Sequence, residues 1–298
     1  MKILVTGGAG FIGSHFVRSA LNGSYASLAT AEVVVVDKLT YAGNLANLDP
    51  VRANPRLTFV EADILDAPLV DSLVGEADAV LNFAAESHVD RSILGASAFI
   101  MPNVMGTHRL LEAAARHRID RFVQVSTDEV YGSINEGSWP EDHLLEPNSP
   151  YAASKAGADL VARAYARTHD VDVVITRCSN NYGPYQFPEK VIPLFVTNLL
   201  DGGRVPLYGD GLNVRDWLHV DDHCRGIALA LEKGRAGEIY NIGGGTEITN
   251  RDLTQRLLHA CGADWDRAER ALVDAVREGI IFQDRDDIAW GQAWKDRV

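Results

Sequence analysis

"KILVTGGAGFIGSHFVRSALN", residues 2–22, passes from a run of apolar residues through Gly7, Gly8, Gly10 and Gly13 into a stretch whose apolar residues recur at three and four. The first part reads as a buried strand and the last as a helix, so the glycines sit on a strand-to-helix turn. Gly8, Gly10 and Gly13 have the G-x-G-x-x-G spacing. Such glycines allow a tight turn and a close approach of backbone to a pyrophosphate, whose charge is favoured by the amides and dipole of a helix N-terminus. The next apolar run, "EVVVVD" (32–37), ends in Asp37, an acid placed to hold a ribose diol and to repel a 2′-phosphate. Together they predict a dinucleotide site that takes NAD rather than NADP, with Lys38 working against that preference.

Further apolar runs follow at "LTFVEAD" (57–63), "DAVLNFA" (78–84), "RFVQVS" (121–126) and "DVVITR" (172–177). Unbroken runs of this kind suit strands covered on both faces, as in a parallel sheet. Helix-like stretches alternate with them, among them "THRLLEAAARHR" and "SKAGADLVARAYART". The expected fold is therefore α/β, with a doubly wound parallel sheet. After about residue 180 the rhythm breaks into shorter pieces framed by Pro and Gly, as in "NNYGPYQFPEK" and "DGGRVPLYGDGLN". That predicts a first domain over 1–180 and a smaller, interleaved C-terminal lobe over 181–298. The 132–150 stretch reads as a long surface loop, and Pro102 in "MPNVMG" stands where a helix is expected to run.

With 298 residues, 46% of them hydrophobic and 23% charged, the chain can bury a large core. Its formal charge, 28 − 41 = −13, argues against a nucleic-acid partner, which needs clustered Lys and Arg. Cys178, Cys224 and Cys261 follow no metal-ligand spacing and suggest no disulfide framework, so no metal is expected and a reducing cytoplasm fits. The apolar run at the N-terminus is too short for a signal peptide's core or a membrane span, and no membrane partner is expected.

Tyr151 and Lys155 lie four apart on a predicted helix and so share a face. An ammonium near a phenol favours the phenolate, the form needed to take a proton from a sugar hydroxyl while hydride leaves for a nicotinamide. "STDEVYGS" (126–133) adds Thr127, Asp128 and Glu129 at a strand end. Neighbouring side chains of a strand point to opposite faces, so the chain is expected to leave strand geometry after Ser126 if both acids are to reach one substrate.

In "TGGAGFIGSH", "DKLTYAGN", "AAESHVDRS", "STDEVYG", "SPYAASKAGAD" and "RCSNNYGPYQFPEK" the sequence resembles the extended short-chain dehydrogenase/reductases, and among them the dTDP-glucose 4,6-dehydratases, over about residues 1 to 265. The resemblance implies a Rossmann-like fold and a homodimer built through two helices of each subunit. It also implies oxidation of dTDP-glucose at carbon 4, loss of water across carbons 5 and 6, and return of hydride to carbon 6. Asp128 would then be the acid that expels hydroxide and Glu129 the base at carbon 5, while Thr127 would hydrogen-bond the carbon-4 oxygen beside Tyr151 and Lys155. Two carboxyls held close resist double ionisation, which suits one acid and one base.

By the same resemblance NAD would be held by Gly7, Gly10, Phe11, Ile12, Gly13, Asp37, Lys38 and Thr40, then by Asp63, Ile64, Ala84, Ser87, Asn103, Tyr151, Lys155 and Cys178. The nucleotide-sugar would meet Ser87, His88, Thr127, Asn180, Glu189, Lys190, Pro206, Tyr208, Arg215 and Asn250. Lys190 and Arg215 suit a pyrophosphate and Tyr208 can stack on a base; His88 also fits a hydrogen-bonded structural role. After "CGADWD" the sequence departs from the family's basic segment, leaving Arg270 and Arg277 as candidate replacements. A nucleotide-sugar epimerase or decarboxylase shares the glycine loop and the Tyr-Lys pair, but neither reaction needs Asp128 to expel hydroxide. A silent nucleotide-binding homologue is the third reading, with the intact reactive residues against it.

Overall fold

Seven parallel strands run through the first part of the chain in the order β3-β2-β1-β4-β5-β6-β10. They are β1 (Lys2–Thr6), β2 (Glu32–Asp37), β3 (Leu57–Glu61), β4 (Ala79–Asn82), β5 (Arg121–Thr127), β6 (Val173–Cys178) and β10 (Ile239–Ile242). The computed structural model describes residues 1–207 and 209–269. These form two compact units: the first comprises Met1–Gln186 and Trp217–Gly245, the second Phe187–Asp216 and the described residues from Thr246.

Both faces of the central strands are buried because their runs are largely apolar, and the polar Asn82 and Gln124 within them bond to each other at 2.9 Å. Ile3, Val5, Val33, Val35, Val123 and Val125 point into one core, against α1 (Phe11–Leu21) and α8 (Val220–Lys233). The alternate residues Leu4, Val34, Val36, Val80 and Phe122 point into the other, against α2 (Ala67–Gly75), α5 (Thr107–His117) and α6 (Pro150–Thr168). The period of two along each strand thus divides one apolar run between two cores.

α3 (Val89–Leu94) and α4 (Ser97–Ile100) precede α5, and residues Met101–Gly106 join α4 to α5 as a π-helical turn. Pro102 lies in the first turn of that segment. A proline lacks the amide that an α-helix needs, and the wider turn carries the helix through it. The 132–150 stretch contains no helix or strand until Pro150 opens α6. It is nonetheless anchored, because Trp139 stacks on the buried Tyr131 at 5.5 Å and Asn241 donates to the Trp139 carbonyl at 2.9 Å.

Strand β7 (Asn180–Tyr182) closes the first unit's remaining pairing, parallel to Trp217–His219 of β9 (Val214–His219). Within the second unit, α7 (Val191–Leu200) and α9 (Asn250–Ala260) pack through Phe195 and Leu258 onto Val205 of β8 (Val205–Pro206). There Val214–Asp216 pair antiparallel with β11 (Glu247–Thr249), and β12 (Ala268–Glu269) lies parallel to β8. Among the described residues no helix is long and apolar enough to cross a membrane, and no cluster of His, Cys, Asp and Glu could hold a metal.

Candidate active site

In a parallel sheet every strand ends on the same edge, and the sequence changes direction between β1 and β4, where a crevice forms. Gly7–Gly10 follow β1, Asp37 ends β2, residues 83–88 follow β4, Thr127 ends β5 and Cys178 ends β6. Most residues expected at the cofactor therefore come to one edge of the first unit.

The glycine turn differs in detail from the spacing that announced it. Gly7 has φ +69° and lies so close to the next loop that a methyl group there would come within 2.6 Å of the Ala84 nitrogen. At Gly13 a methyl would strike the Gly7 carbonyl oxygen. Gly8 instead has its Cα against Val35 of the core, so the turn is built on Gly7, Gly10 and Gly13. Gly10 caps α1 without a side-chain cap, and the first turn carries no acid, which leaves the amides of Phe11 and Ile12 suited to an anion.

Asp37 is buried, and its two oxygens accept from the Ala9 amide at 2.9 Å and the Leu39 amide at 2.8 Å. Burial pushes its carboxyl up, and those amides oppose the shift. A carboxylate has about four acceptor positions, so acceptor capacity remains for a diol. The residues thus fit a dinucleotide: a cradle that added carbons would fill, bare helix amides, and an acid tied to the glycine turn. Lys38 is engaged by Asp63 at 2.7 Å.

The reacting residues meet where β5 ends. β5 runs through Thr127, one residue further than expected, and Asp128–Tyr131 then form a 3-10 turn. Thr127 caps that turn: its hydroxyl accepts from the Glu129 amide at 3.2 Å and donates to Asp128 Oδ1 at 3.3 Å. Both acids thereby leave strand alternation together. The phenol of Tyr151 feels both: burial first, then Glu129, Cys178 and Asp128, hold its pKa well above the usual value, while the Thr127 hydroxyl pulls it down.

Lys155 lies one turn along α6 from Tyr151. Its ammonium is buried and donates to the Val125 carbonyl at 2.7 Å, and burial lowers its pKa while Asp159 raises it. Cys178 is likewise buried, its thiol pushed up to about 12 chiefly by burial. Asn103 lies on the π-helical turn. It is 1% exposed, and its side-chain amide joins the Glu86 backbone at 2.9 and 3.0 Å to Ser154 at 2.8 Å. His88 caps α3 by accepting from the Arg91 amide at 3.4 Å. Thr40 is exposed, and Ile64 is buried against Gly106.

Asn180 opens β7, two residues past Cys178. Glu189, Lys190, Pro206, Arg215 and Asn250 all fall in the second unit, where Lys190 precedes α7 and Arg215 is exposed on β9. Tyr208, Arg270 and Arg277 lie outside the described residues. The sequence reading passed over Asp159 and Arg177, a fully buried ion pair at 2.9 Å behind Lys155. The signals were present: Asp159 repeats the four-residue spacing of Tyr151 and Lys155, and Arg177 is a charge inside an apolar strand.

Residues 4–283 match the family model described as GDP-mannose 4,6 dehydratase. The chain belongs to that family. Within the 4,6-dehydratase family, the dTDP-glucose 4,6-dehydratase of Actinoplanes sp. is 64% identical over 268 residues, covering 90% of this chain and 84% of that one. The crystal structure of DesIV, a dTDP-glucose 4,6-dehydratase from Streptomyces venezuelae with NAD bound, superposes with a TM-score of 0.89 at 66% identity, over 90% of this chain and 84% of that one. The dTDP-glucose 4,6-dehydratase of Bacillus anthracis, also in complex with NAD, gives 0.83 at 50% identity over the same shares. The extended short-chain fold expected from the sequence is the fold found in these dehydratases.

Proposed function

We propose that this chain uses NAD to convert dTDP-glucose to dTDP-4-keto-6-deoxyglucose. The observation that carries the reading is the 3-10 turn that brings Asp128 and Glu129 together beside the Tyr151 phenol. An epimerase or decarboxylase needs no acid to expel hydroxide, so a second carboxyl in this turn favours dehydration. The dehydratases described above support the choice of substrate.

Tyr151 takes the proton from the carbon-4 hydroxyl, and Thr127 hydrogen-bonds that oxygen, turning its hydroxyl from Asp128. NAD, held by the glycine turn and Asp37, would supply the hydride acceptor for carbon 4 and the hydride donor for carbon 6. The carbon-4 ketone acidifies carbon 5, whose proton Glu129 removes. Asp128 protonates the departing carbon-6 hydroxyl, which leaves as water. The proton on Glu129 exchanges with solvent and goes back to carbon 5. Each such group typically contributes 10²–10⁴ in rate, order of magnitude.

Residues 1–180 hold NAD and the reacting groups on this reading, and residues 181–298 the nucleotide, through Lys190 and Arg215 at the pyrophosphate and Tyr208 at the base. The protein works in the cytoplasm as a homodimer, with the exposed Ile100, Met101 and Leu160 on adjoining helices as its apolar seam. Incubation with NAD and dTDP-glucose in heavy water tests the reaction. The expected product is dTDP-4-keto-6-deoxyglucose with deuterium at carbon 5 and no accumulation of NADH. Steady NADH accumulation, or turnover of UDP-glucose in preference to dTDP-glucose, would overturn it.

A further inference from the structure

Three charged side chains are kept from water behind the reacting groups: Lys155 is 4% exposed, Asp159 0% and Arg177 1%. Tyr151, Lys155 and Asp159 follow one another at intervals of four on α6 and share its inner face. Arg177 reaches Asp159 from β6, Nε to Oδ2 at 2.9 Å. Its guanidinium carbon also stands 4.7 Å from the centre of the Tyr131 ring. Tyr131 is the last residue of the turn that begins with Asp128 and Glu129. One guanidinium therefore touches both the helix of the Tyr-Lys pair and the turn of the two acids.

A buried ion pair adds little stability over apolar residues of the same volume, and often less than nothing. The couple needs another explanation. Lys155 donates to a neutral carbonyl, that of Val125 on β5, and an ammonium so placed in a dry site tends to lose its proton. We propose that Asp159 and Arg177 are positioning residues: Asp159 keeps Lys155 charged, and Arg177 fixes that charge relative to the turn bearing Asp128 and Glu129. The proposal rests on the dehydration reading for its kinetic consequences.

Among the described residues the ionisable groups around Lys155 are few. From its own helix come Asp159 and Tyr151; from β6 come Arg177 and the Cys178 thiol; from the 3-10 turn come Asp128 and Glu129, whose charges act on Tyr151. The π-helical turn presents the neutral Asn103, and on α5 His108 is engaged by the Tyr165 hydroxyl at 3.1 Å. Of these, Asp159 is the first that opposes the loss of the Lys155 proton, and the Cys178 thiol is held neutral by burial. Removing Asp159 therefore moves the deprotonation of Lys155 to lower pH.

The test follows two curves against pH: kcat/KM for dTDP-glucose, and the affinity of the apo-protein for NAD. Asp159→Asn leaves Arg177 uncompensated and can fail to fold, so the deciding variant is Asp159→Leu with Arg177→Met, which leaves no unpaired charge. Its melting temperature is expected to stay close to wild type. The alkaline limb of both curves should move down by about one pH unit or more, and Asp159→Glu should keep it in place. Arg177→Lys keeps the charge without the flat face over Tyr131; the limb should hold while carbon-5 exchange slows roughly tenfold. An unmoved limb in the double variant overturns the role of Asp159, and unchanged exchange in Arg177→Lys overturns that of Arg177. A wild-type protein that makes no product refutes the reaction instead, and the NAD curve then decides alone on Asp159.

Discussion

Asp128 and Glu129 are adjacent in sequence yet have separable duties, and single substitutions should separate them. Asp128→Asn is expected to exchange the carbon-5 hydrogen with solvent while losing roughly 10²–10⁴ in product formation. Glu129→Gln should lose the exchange as well, and Tyr151→Phe should block both because carbon 4 is never oxidised. Exchange measured by NMR and product by chromatography distinguish the three. Asp37 carries a second expectation. Its carboxylate bridges the Ala9 and Leu39 amides, so Asp37→Ala should weaken NAD itself and also narrow an NAD preference over NADP of about tenfold or more. Titration of apo-protein with the two dinucleotides reads both effects, and equal affinities in the wild type would contradict the assignment. His223 gives a prediction in pH. It is fully buried, its Nδ1 donates to Asn181 Oδ1 at 2.9 Å, and burial lowers its pKa to about 3 from 6.5. The neutral ring is favoured in the fold, so its contribution to stability is full above pH 6.5 and is lost as pH falls towards 3, at up to about 1.4 kcal/mol per unit. His223→Gln should flatten the fall of the melting temperature across that window. Tyr151, Lys155 and the acids were legible because their spacing or adjacency is local. Asp159 with Arg177 was not, because the pairing of a helix residue with one on a strand 18 positions away depends on the packing of α6 on β6.

Elements were legible wherever one periodicity ruled. β1 and β2 span the residues expected of them, and the other four foreseen strands differ at their ends by one or two residues. β10 was missed because "IYNI" is short and only partly buried, an edge strand with one neighbour. The 3-10 turn at Asp128 was expected only as a departure from strand geometry, and the π-helical turn only as a misplaced proline. That turn carries a clamp. Asn103 projects from it and holds the Glu86 loop to α6. Asn103→Ala leaves buried groups on both sides without partners, at about 1–3 kcal/mol for each such group. A lowered melting temperature together with weakened NAD binding is expected; a normal NAD affinity in the folded variant would show that the Glu86 loop holds its place without the clamp.

At the scale of the molecule, Ile100, Met101 and Leu160 are between 41% and 53% exposed on the helices of the first unit. If they form the seam of a dimer, Ile100→Glu with Leu160→Glu should give a monomer by light scattering with its NAD site intact. A dimer that persists in the variant places the seam elsewhere. The order of the chain has a consequence of its own. The first unit is not finished by its first 186 residues: α8, which supplies Val220, Cys224, Ile227 and Leu231 to one core, and β10, the sheet's last strand, come only after the chain has made 30 residues of the second unit. A ribosome releases this chain from its N-terminus onward, so a growing chain of that length presents Val123 and Val125 of β5 without the cover of α8 and the outer edge of β6 unpaired. During synthesis the most adhesive stage is therefore the stretch between residues 186 and 242. A polypeptide truncated within it should need chaperones that the full chain can leave behind.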